Sequence, residues 1–220
     1  MQKKEYSLEI GGKTMTAIFT DLAEQAHGSV MLKYGETIVL ATVCMSKDKQ
    51  QGLGFFNLTV DYVERFYAAG KISGSKFVKR EGKPSEDAIL ASRVIDRTLR
   101  PLFDQSIRHA VQVIVTVLSL DENDSVTMAV NAASLALSVS NIPWNGPVGA
   151  VRIGKYLDDN LVVNAISSLR SEETQYKYDL TVCGRGGHIN MIEASARQIK
   201  EDELEKALEM ASIEITKLED

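Results

Sequence analysis

Two segments near the start of the chain alternate apolar and polar residues on either side of a glycine turn. The first, YSLEIGGKTMTAIF, turns at Gly11 and Gly12, and the second, SVMLKYGETIVLATVCM, turns at Tyr34 and Gly35. A period of two places successive side chains on opposite faces of a sheet, and glycine adopts the backbone conformations that tight turns require. The chain is therefore predicted to begin with two β-hairpins.

The remainder of the chain mixes strands and helices without strict alternation. Further strands are predicted in FFNLTVDYV, HAVQVIVTVLSL, GAVRIG, NLVVNA, YDLTVCG and INMIEA, with a tight turn at GRGG between the last two. A helix of small residues is predicted in SVTMAVNAASLALSVS, and another helix at the end of the chain. With 220 residues, 44% of them hydrophobic, one buried core is expected. These features predict an α/β (α+β) fold, a mixed β-sheet packed with helices.

A helix is predicted over about residues 85–99. Ser85 is a suitable N-cap, the acidic Glu86 and Asp87 suit the positive end of the helix dipole, and Pro101 marks the end. Apolar residues recur at helical spacing on one face, at Ala88, Ala91, Ile95, Leu99 and Leu102. That face is predicted to pack on the core, which leaves the opposite face to solvent.

The opposite face of this helix carries Arg93, Arg97 and Arg100, within an arc of roughly 60°. Between Arg65 and Arg100 there are nine Lys or Arg against four Asp or Glu, a local excess of +5 in a chain whose net charge is −5. Such a patch attracts polyanions, arginine can fork onto phosphate oxygens, and the aromatic Phe66 and Phe77 could stack on bases. Single-stranded RNA is the predicted partner.

The candidate RNA-binding residues combine the basic, glycine-containing loop before the helix with its arginine row: Lys76, Phe77, Lys79, Arg80, Lys83, Arg93, Arg97 and Arg100. The alternative interpretation is that Arg93 and Arg97 pair with Asp96, Glu86 or neighbouring acids in structural salt bridges, while Lys76, Lys79 and Lys83 are simply solvated.

Several classes of protein and site are not expected. No run of about 18 apolar residues is present to span a bilayer, and MQKKEYSLEIGG has neither the apolar centre of a signal peptide nor a transit pattern, so a cytoplasmic location without membrane contact is predicted. Cys44 and Cys183 lie in apolar runs and are predicted to be buried, reduced thiols. The three histidines have no metal-ligand spacing, so no zinc site is expected.

Four runs of the sequence together resemble the first RNase PH-like core domain of the polynucleotide phosphorylase family. They are FFNLTVDYVERFYAAGKI, KREGKPSEDAILASRVIDRTLRPLF, VQVIVTVLS and NIPWNGPVGAVRIG. The resemblance implies an RNase PH-like fold (ribosomal protein S5 domain 2-like) and a homotrimeric ring. Each full-length chain would carry a second RNase PH-like domain and further RNA-binding modules. The implied reaction is phosphorolysis, in which inorganic phosphate attacks the 3′-terminal linkage of RNA and releases nucleoside diphosphates, with Mg²⁺ assisting in the complete enzyme.

The resemblance also assigns roles to individual residues. The loop SKFVKREG would line the entrance of a central channel, with Phe77, Lys79 and Arg80 gripping RNA, and the arginines of SRVIDRTLRPLF would contact RNA near the ring interior. This loop departs from the common form by one additional residue, by Ser73 where proline is frequent, and by Val78 in or beside the place of a second aromatic residue.

No catalytic residue is predicted in this domain, because the resemblance places the working site in the second domain. Phosphorolysis needs a phosphate cradle, and the matching segment LDENDSVTMAV crowds its helix start with acidic residues that would repel phosphate. Asp179 occupies an aspartate position of the active domain, but Thr181 stands where lysine would be, and Glu172 and Glu173 are the nearest second acids. Asp179 is therefore either a residual metal ligand or a structural cap.

The terminal segment carries an apolar stripe of helical spacing, at Leu204, Ala207, Leu208, Ala211, Ile215 and Leu218. We expect residues 1–199 to form the core domain and residues 200–220 to begin a helical linker toward a second core domain, so that the sequence is an N-terminal fragment. Three functions stay open: the RNA-guiding, trimer-forming domain of a phosphorolytic exoribonuclease, a self-sufficient RNase PH-type exonuclease, and a pure binding or assembly module.

Overall fold

The computed structural model describes residues 3–50, 52, 54–72, 74, 82–156, 160–170 and 176–219. Within them, the first sheet is formed by β1 (Lys4–Ile10), β2 (Lys13–Phe19), β3 (Gly28–Tyr34), β4 (Thr37–Met45), β5 (Leu58–Val63) and β6 (Val111–Ser119). Their order across the sheet is β1-β2-β3-β4-β6-β5, and β5 and β6 run parallel while the other pairs are antiparallel.

The two hairpins predicted at the start of the chain are confirmed. Ile10 pairs with Lys13 at the end of the first hairpin, and Tyr34 pairs with Thr37 at the end of the second. Because β2 also pairs with β3, the two hairpins form one continuous four-stranded surface.

The helix α1 (Glu86–Leu99) lies between the parallel strands β5 and β6 along the chain, as a parallel connection requires. Its predicted N-cap is confirmed, since the Ser85 hydroxyl accepts a hydrogen bond from the Ala88 amide at 3.0 Å. The predicted apolar face is buried, together with residues that extend it: Ala88, Ala91, Val94, Ile95, Thr98 and Leu99. A 3-10 turn over Arg100–Leu102 follows the helix.

The helix α2 (Ser125–Ser138) is buried along most of its length between the two sheets. Its small side chains allow close approach to β3, β4 and β7. Asn131 is one of its buried polar residues, and its side-chain amide donates to the Ala150 carbonyl at 2.9 Å and accepts from the Ala150 backbone amide at 2.7 Å. This pairing fixes α2 against β7.

The second sheet is antiparallel, with the order β10-β9-β7-β8. Its strands are β7 (Gly149–Lys155), β8 (Leu161–Val163), β9 (Tyr178–Arg185) and β10 (His188–Ala196). The helix α3 (Glu201–Glu219) covers β7 and β9. Ala207, Ala211 and Ile215 are buried there. The apolar stripe of the terminal segment therefore completes the core of this sheet, and a linker beginning at residue 200 stays a prediction.

The two cysteines differ in their surroundings. Cys183 is buried as predicted, and desolvation raises the pKa of its thiol to about 12. The prediction that Cys44 is buried was wrong, because Val43 takes the buried face of β4 and Cys44 lies on the opposite, exposed face. Of the helices in the described ranges, none is both apolar enough and long enough to cross a bilayer.

A cluster of hydrogen bonds around Asp121 attaches the second hairpin to the loop before α2. The Asp121 carboxylate accepts from the Thr37 hydroxyl, from the Glu36 amide at 2.9 Å and from the Asn123 amide at 2.7 Å. Gly35 has a φ of +61°, a left-handed conformation that glycine adopts readily, and a Cβ there would lie 2.8 Å from an Asp121 carboxylate oxygen. The turn residue and the acid therefore depend on one another.

The pKa of Asp121 reflects these contacts. Burial acts to raise it, but the hydrogen bonds from Thr37, Asn123 and Glu36 outweigh burial, and the pKa lies below its ordinary value of 3.8. Because the folded-state pKa is depressed, the carboxylate stabilises the fold above that value, and the contribution is lost as the pH falls through the folded-state pKa.

We predict that Asp121→Asn lowers the free energy of unfolding at neutral pH by about 1–3 kcal/mol, because charge-assisted hydrogen bonds to buried groups are weakened. Urea unfolding at several pH values measures this effect. The difference between the wild type and the variant should shrink below about pH 4. Asp48→Asn, at an exposed position, is the matched control and should leave the free energy of unfolding unchanged. A difference independent of pH would contradict this account.

Candidate nucleic-acid interface

The exposed face of α1 presents two arginines that have no ion-pair partner among the described residues. Arg93 and Arg97 are both exposed, and neither has a carboxylate within salt-bridge distance among the described residues. They are four residues apart, so they lie on the same face with a rise of about 6 Å between them. For these two residues, the salt-bridge interpretation has no support in the described part of the chain.

Arg100, the third member of the predicted row, is already engaged. Its guanidinium forms a bidentate ion pair with Asp96, with Nε 2.9 Å from Oδ2, and it also donates to the carbonyl oxygens of Phe56 and Leu58. A structural salt bridge, the alternative considered for Arg93 and Arg97, is therefore found at Arg100 instead. Contact between Arg100 and RNA stays a prediction. In the structure, the Arg100 guanidinium links α1 to the start of β5.

Two apolar side chains flank the free arginines. Ile89 is 41% exposed and Leu90 is 52% exposed, one on each side of the ridge that Arg93 and Arg97 form. A cavity opens on each side of this ridge. Ile89 lines one cavity and Leu90 lines the other.

The first cavity, which we call the β5–α1 cavity, has a volume of about 710 Å³. It lies between β5, the 3-10 helix Phe66–Ala69 and the first turns of α1. Tyr62 is one of its lining residues, and the Tyr62 hydroxyl donates a hydrogen bond to the Ser125 hydroxyl at 2.8 Å. Burial raises the pKa of Tyr62, so this phenol stays protonated and remains a donor.

The remaining predicted RNA-binding residues are placed as follows. Lys83 is exposed at the edge of the β5–α1 cavity, and Phe66, which was suggested as a stacking residue, lines the same cavity and is 50% exposed. Four predicted residues lie outside the described ranges: Lys76, Phe77, Lys79 and Arg80. The structure thus brings Lys83 and Phe66 to one flank of the arginine ridge.

The second cavity, of about 480 Å³, contains a buried ion network centred on Arg152. Arg152 Nε is 2.8 Å from Asp179 Oδ1, and its terminal nitrogen is 2.9 Å from Asp124 Oδ1. Arg170 adds a third contact, 3.2 Å from the same Asp124 oxygen. The two aspartate side chains are only 5% and 6% exposed, so their charges are balanced by arginine rather than by water.

The pKa of Arg152 is raised above its ordinary value. Burial acts in the opposite direction, but the hydrogen bond to Asp179 and the charges of Asp124 and Asp179 outweigh it. Arg152 is therefore a permanent cation at this position.

The residues of this network do not fit a divalent metal. Asp179, the candidate metal ligand, is bound by Arg152, and Glu172 and Glu173 lie outside the described ranges. Asp124 is bound by two arginines and also caps α2, accepting from the Thr127 amide at 3.0 Å. Among the residues that the structure describes, no group of three or more potential ligands could hold a metal ion.

The start of α2 likewise offers no open phosphate cradle. Asp124 occupies the N-cap with its own carboxylate, and the Ser125 hydroxyl is bonded to Tyr62. An added phosphate would meet the Asp124 charge at the position where helix amides would otherwise bind it.

Sequence reasoning missed Arg152 and Arg170. A charged residue within a buried strand needs a buried partner, so the arginine in GAVRIG was the available indication. Its partners could not be identified from spacing, because Asp124 and Asp179 are 28 and 27 residues away.

Comparisons with known proteins place this geometry in context. The family model for RNase PH, described as the 3′ exoribonuclease family, domain 1, matches residues 13–143. A polyribonucleotide nucleotidyltransferase of Thermomicrobium roseum is 49% identical over 215 residues, covering 97% of this chain and 27% of that protein. The corresponding protein of Caldicellulosiruptor bescii is 44% identical, covering 99% of this chain and 30% of that protein.

The chain thus spans less than a third of the length of these relatives. Among solved structures, rice (Oryza sativa) Rrp46 superposes with a TM-score of 0.71 at 15% identity, covering 99% of this chain and 90% of that one. At this identity the likeness concerns the fold alone, and it agrees with the predicted RNase PH-like architecture.

We predict that Arg152→Met destabilises the protein by about 3–5 kcal/mol, because it leaves two buried carboxylates without a cation. Chemical denaturation measures the loss. Adding Asp179→Asn to Arg152→Met should recover part of the stability, since one uncompensated charge is then removed. A loss from Arg152→Met below about 1 kcal/mol, or no recovery in the double variant, would show that the network is not a stabilising unit.

Proposed function

Because the chain belongs to the 3′ exoribonuclease family, domain 1, we propose that it is the RNA-guiding core domain of a phosphorolytic 3′-to-5′ exoribonuclease. The observation that carries this proposal is the pair of exposed arginines on α1, Arg93 and Arg97, which have no ion-pair partner in the described ranges and lie in the most basic segment of an acidic chain. Guanidinium groups at this spacing suit successive phosphates of a single strand.

The proposed reaction belongs to the whole protein and not to this domain. The polyribonucleotide nucleotidyltransferase relatives support a reaction in which inorganic phosphate attacks the terminal linkage of RNA and nucleoside diphosphates leave. Within this domain, Asp124 and Asp179 are neutralised by arginine, so they are poor candidates to assist that attack. Mg²⁺, if the complete enzyme uses it, would be held by residues elsewhere.

The proposed partners follow from the family. We place this domain beside a second RNase PH-like domain of the same chain, within a homotrimeric ring through which single-stranded RNA passes. A cytoplasmic location is part of the proposal, supported by the two free thiols, Cys44 and Cys183, which suit a reducing compartment.

We predict that Arg93→Ala and Arg97→Ala each weaken binding of single-stranded RNA on the order of tenfold at constant salt, because each removes a charge-assisted phosphate contact. Fluorescence anisotropy with a labelled adenine oligonucleotide measures the dissociation constant. Thermal unfolding of both variants should match the wild type, since the two side chains are exposed and have no partner in the described residues.

Arg185→Ala is the matched control for this measurement. Arg185 is an exposed arginine at the end of β9 in the second sheet, and its loss should leave RNA affinity unchanged. Equal losses in all three variants would mean that binding depends only on net charge, and unchanged affinity in Arg93→Ala and Arg97→Ala would overturn the proposed interface.

We predict that the purified chain, mixed with poly(A) and phosphate, releases no nucleoside diphosphate, because its buried aspartates are held by arginine. Chromatography of the products measures the release, with a full-length polyribonucleotide nucleotidyltransferase as the positive control. Release by the isolated chain that is abolished by Asp179→Asn would favour the self-sufficient exonuclease over the proposal.

A further inference from the structure

We propose that the β5–α1 cavity binds a nucleobase of the strand whose phosphates lie on Arg93 and Arg97. This inference rests on the proposed function, because it names a second contact made by the same RNA. It assigns the cavity to the base and the ridge beside it to the backbone.

The size of the cavity fits this assignment. Its volume of about 710 Å³ lies within the range of about 300–1,000 Å³ that is usual for small-molecule sites, so a base with its ribose can enter. Most of the walls are apolar, which suits the faces of a base: Val60, Val63, Ala68, Ala88, Ile114 and Val117.

The cavity and the arginine ridge are adjacent on α1. Ile89 lines the cavity and precedes Arg93 by four residues, so the two side chains are neighbours on the helix surface. Ser92 lines the same side, and among the described residues its hydroxyl has one hydrogen-bond partner, the Ile89 carbonyl of its own helix, at 2.7 Å. A nucleotide whose phosphate binds Arg93 can therefore place its base against Ile89 and Ser92.

The charges at the edge of the cavity favour a nucleotide over an apolar peptide. Lys71 and Lys83 line the cavity, and neither forms an ion pair with another described residue. Two carboxylates, Asp61 and Glu64, also line it and can accept hydrogen bonds from the exocyclic amino groups of bases. Cations for phosphate, apolar walls and acceptors for amino groups are the combination that a nucleotide requires.

The test compares two RNAs that carry the same charge. One is an adenine oligonucleotide, and the other is an oligonucleotide of the same length with abasic riboses. For the wild-type chain, anisotropy should show the adenine RNA binding about tenfold more tightly, as expected for one well-held base. Ser92→Leu, which places a larger side chain in the cavity, should reduce this preference to about twofold or less.

A pair of truncations provides the matched control. Ile89→Ala and Leu90→Ala each shorten an exposed aliphatic side chain beside the arginine ridge, but only Ile89 lines the β5–α1 cavity. Ile89→Ala should lower affinity for the adenine RNA about threefold and leave the abasic RNA unaffected, whereas Leu90→Ala should change neither.

The outcomes separate the two proposals. Equal affinity of the wild type for both RNAs, or a preference for adenine that survives Ser92→Leu, would overturn the base site and leave the arginine interface standing. Equal effects of Ile89→Ala and Leu90→Ala would also overturn it. Failure of both RNAs to bind would overturn the proposed function and the base site together. A change in the oligomeric state of Ser92→Leu without any change in its RNA affinity would assign the cavity to a protein contact.

Discussion

The guanidinium of Arg152 lies between two buried carboxylates, and this contact decides what the domain can do. It joins Asp124, which caps α2, to Asp179 in β9, so the core helix and the second sheet are held by one cation. Breaking a buried pair is costly because an unpaired charge remains in a poorly solvated site. The same contact leaves neither carboxylate available to bind a metal or to assist an attacking phosphate.

The charges of α1 are arranged differently. Arg100 is fixed by Asp96 and by two backbone carbonyls, which secures the end of the helix against β5. Arg93 and Arg97 are left exposed on the ridge between two cavities. One cavity contains paired charges, and the other has mostly apolar walls lined also by lysines and by two carboxylates. This division separates the structural part of the domain from the part that we propose receives a nucleic-acid strand.

Local patterns in the sequence were sufficient for the hairpins, for the Ser85 cap and for the buried face of α1, because these features depend on neighbours within a few residues. The full set of contacts that each charged side chain makes could not be predicted in this way. Asp96 precedes Arg100 by the four residues typical of a helical ion pair, but the sequence analysis placed Arg100 in one row with Arg93. Its bonds to the Phe56 and Leu58 carbonyls depend on the packing of α1 against β5. The role of Arg152 depends on the pairing of β7 with β9, which brings together residues far apart in the chain. Cys44 was misjudged because an apolar run does not reveal which face of a strand is covered.

The most direct test of the central claim, that Arg93 and Arg97 hold the phosphates of a single strand, is the dependence of RNA affinity on salt. Each phosphate contact contributes about 0.7 to the slope of log affinity against log salt concentration on single strands. The double variant Arg93→Ala, Arg97→Ala should therefore bind with a slope smaller by about 1.4 than that of the wild-type chain. An unchanged slope would show that neither arginine meets a phosphate, and the account would be contradicted.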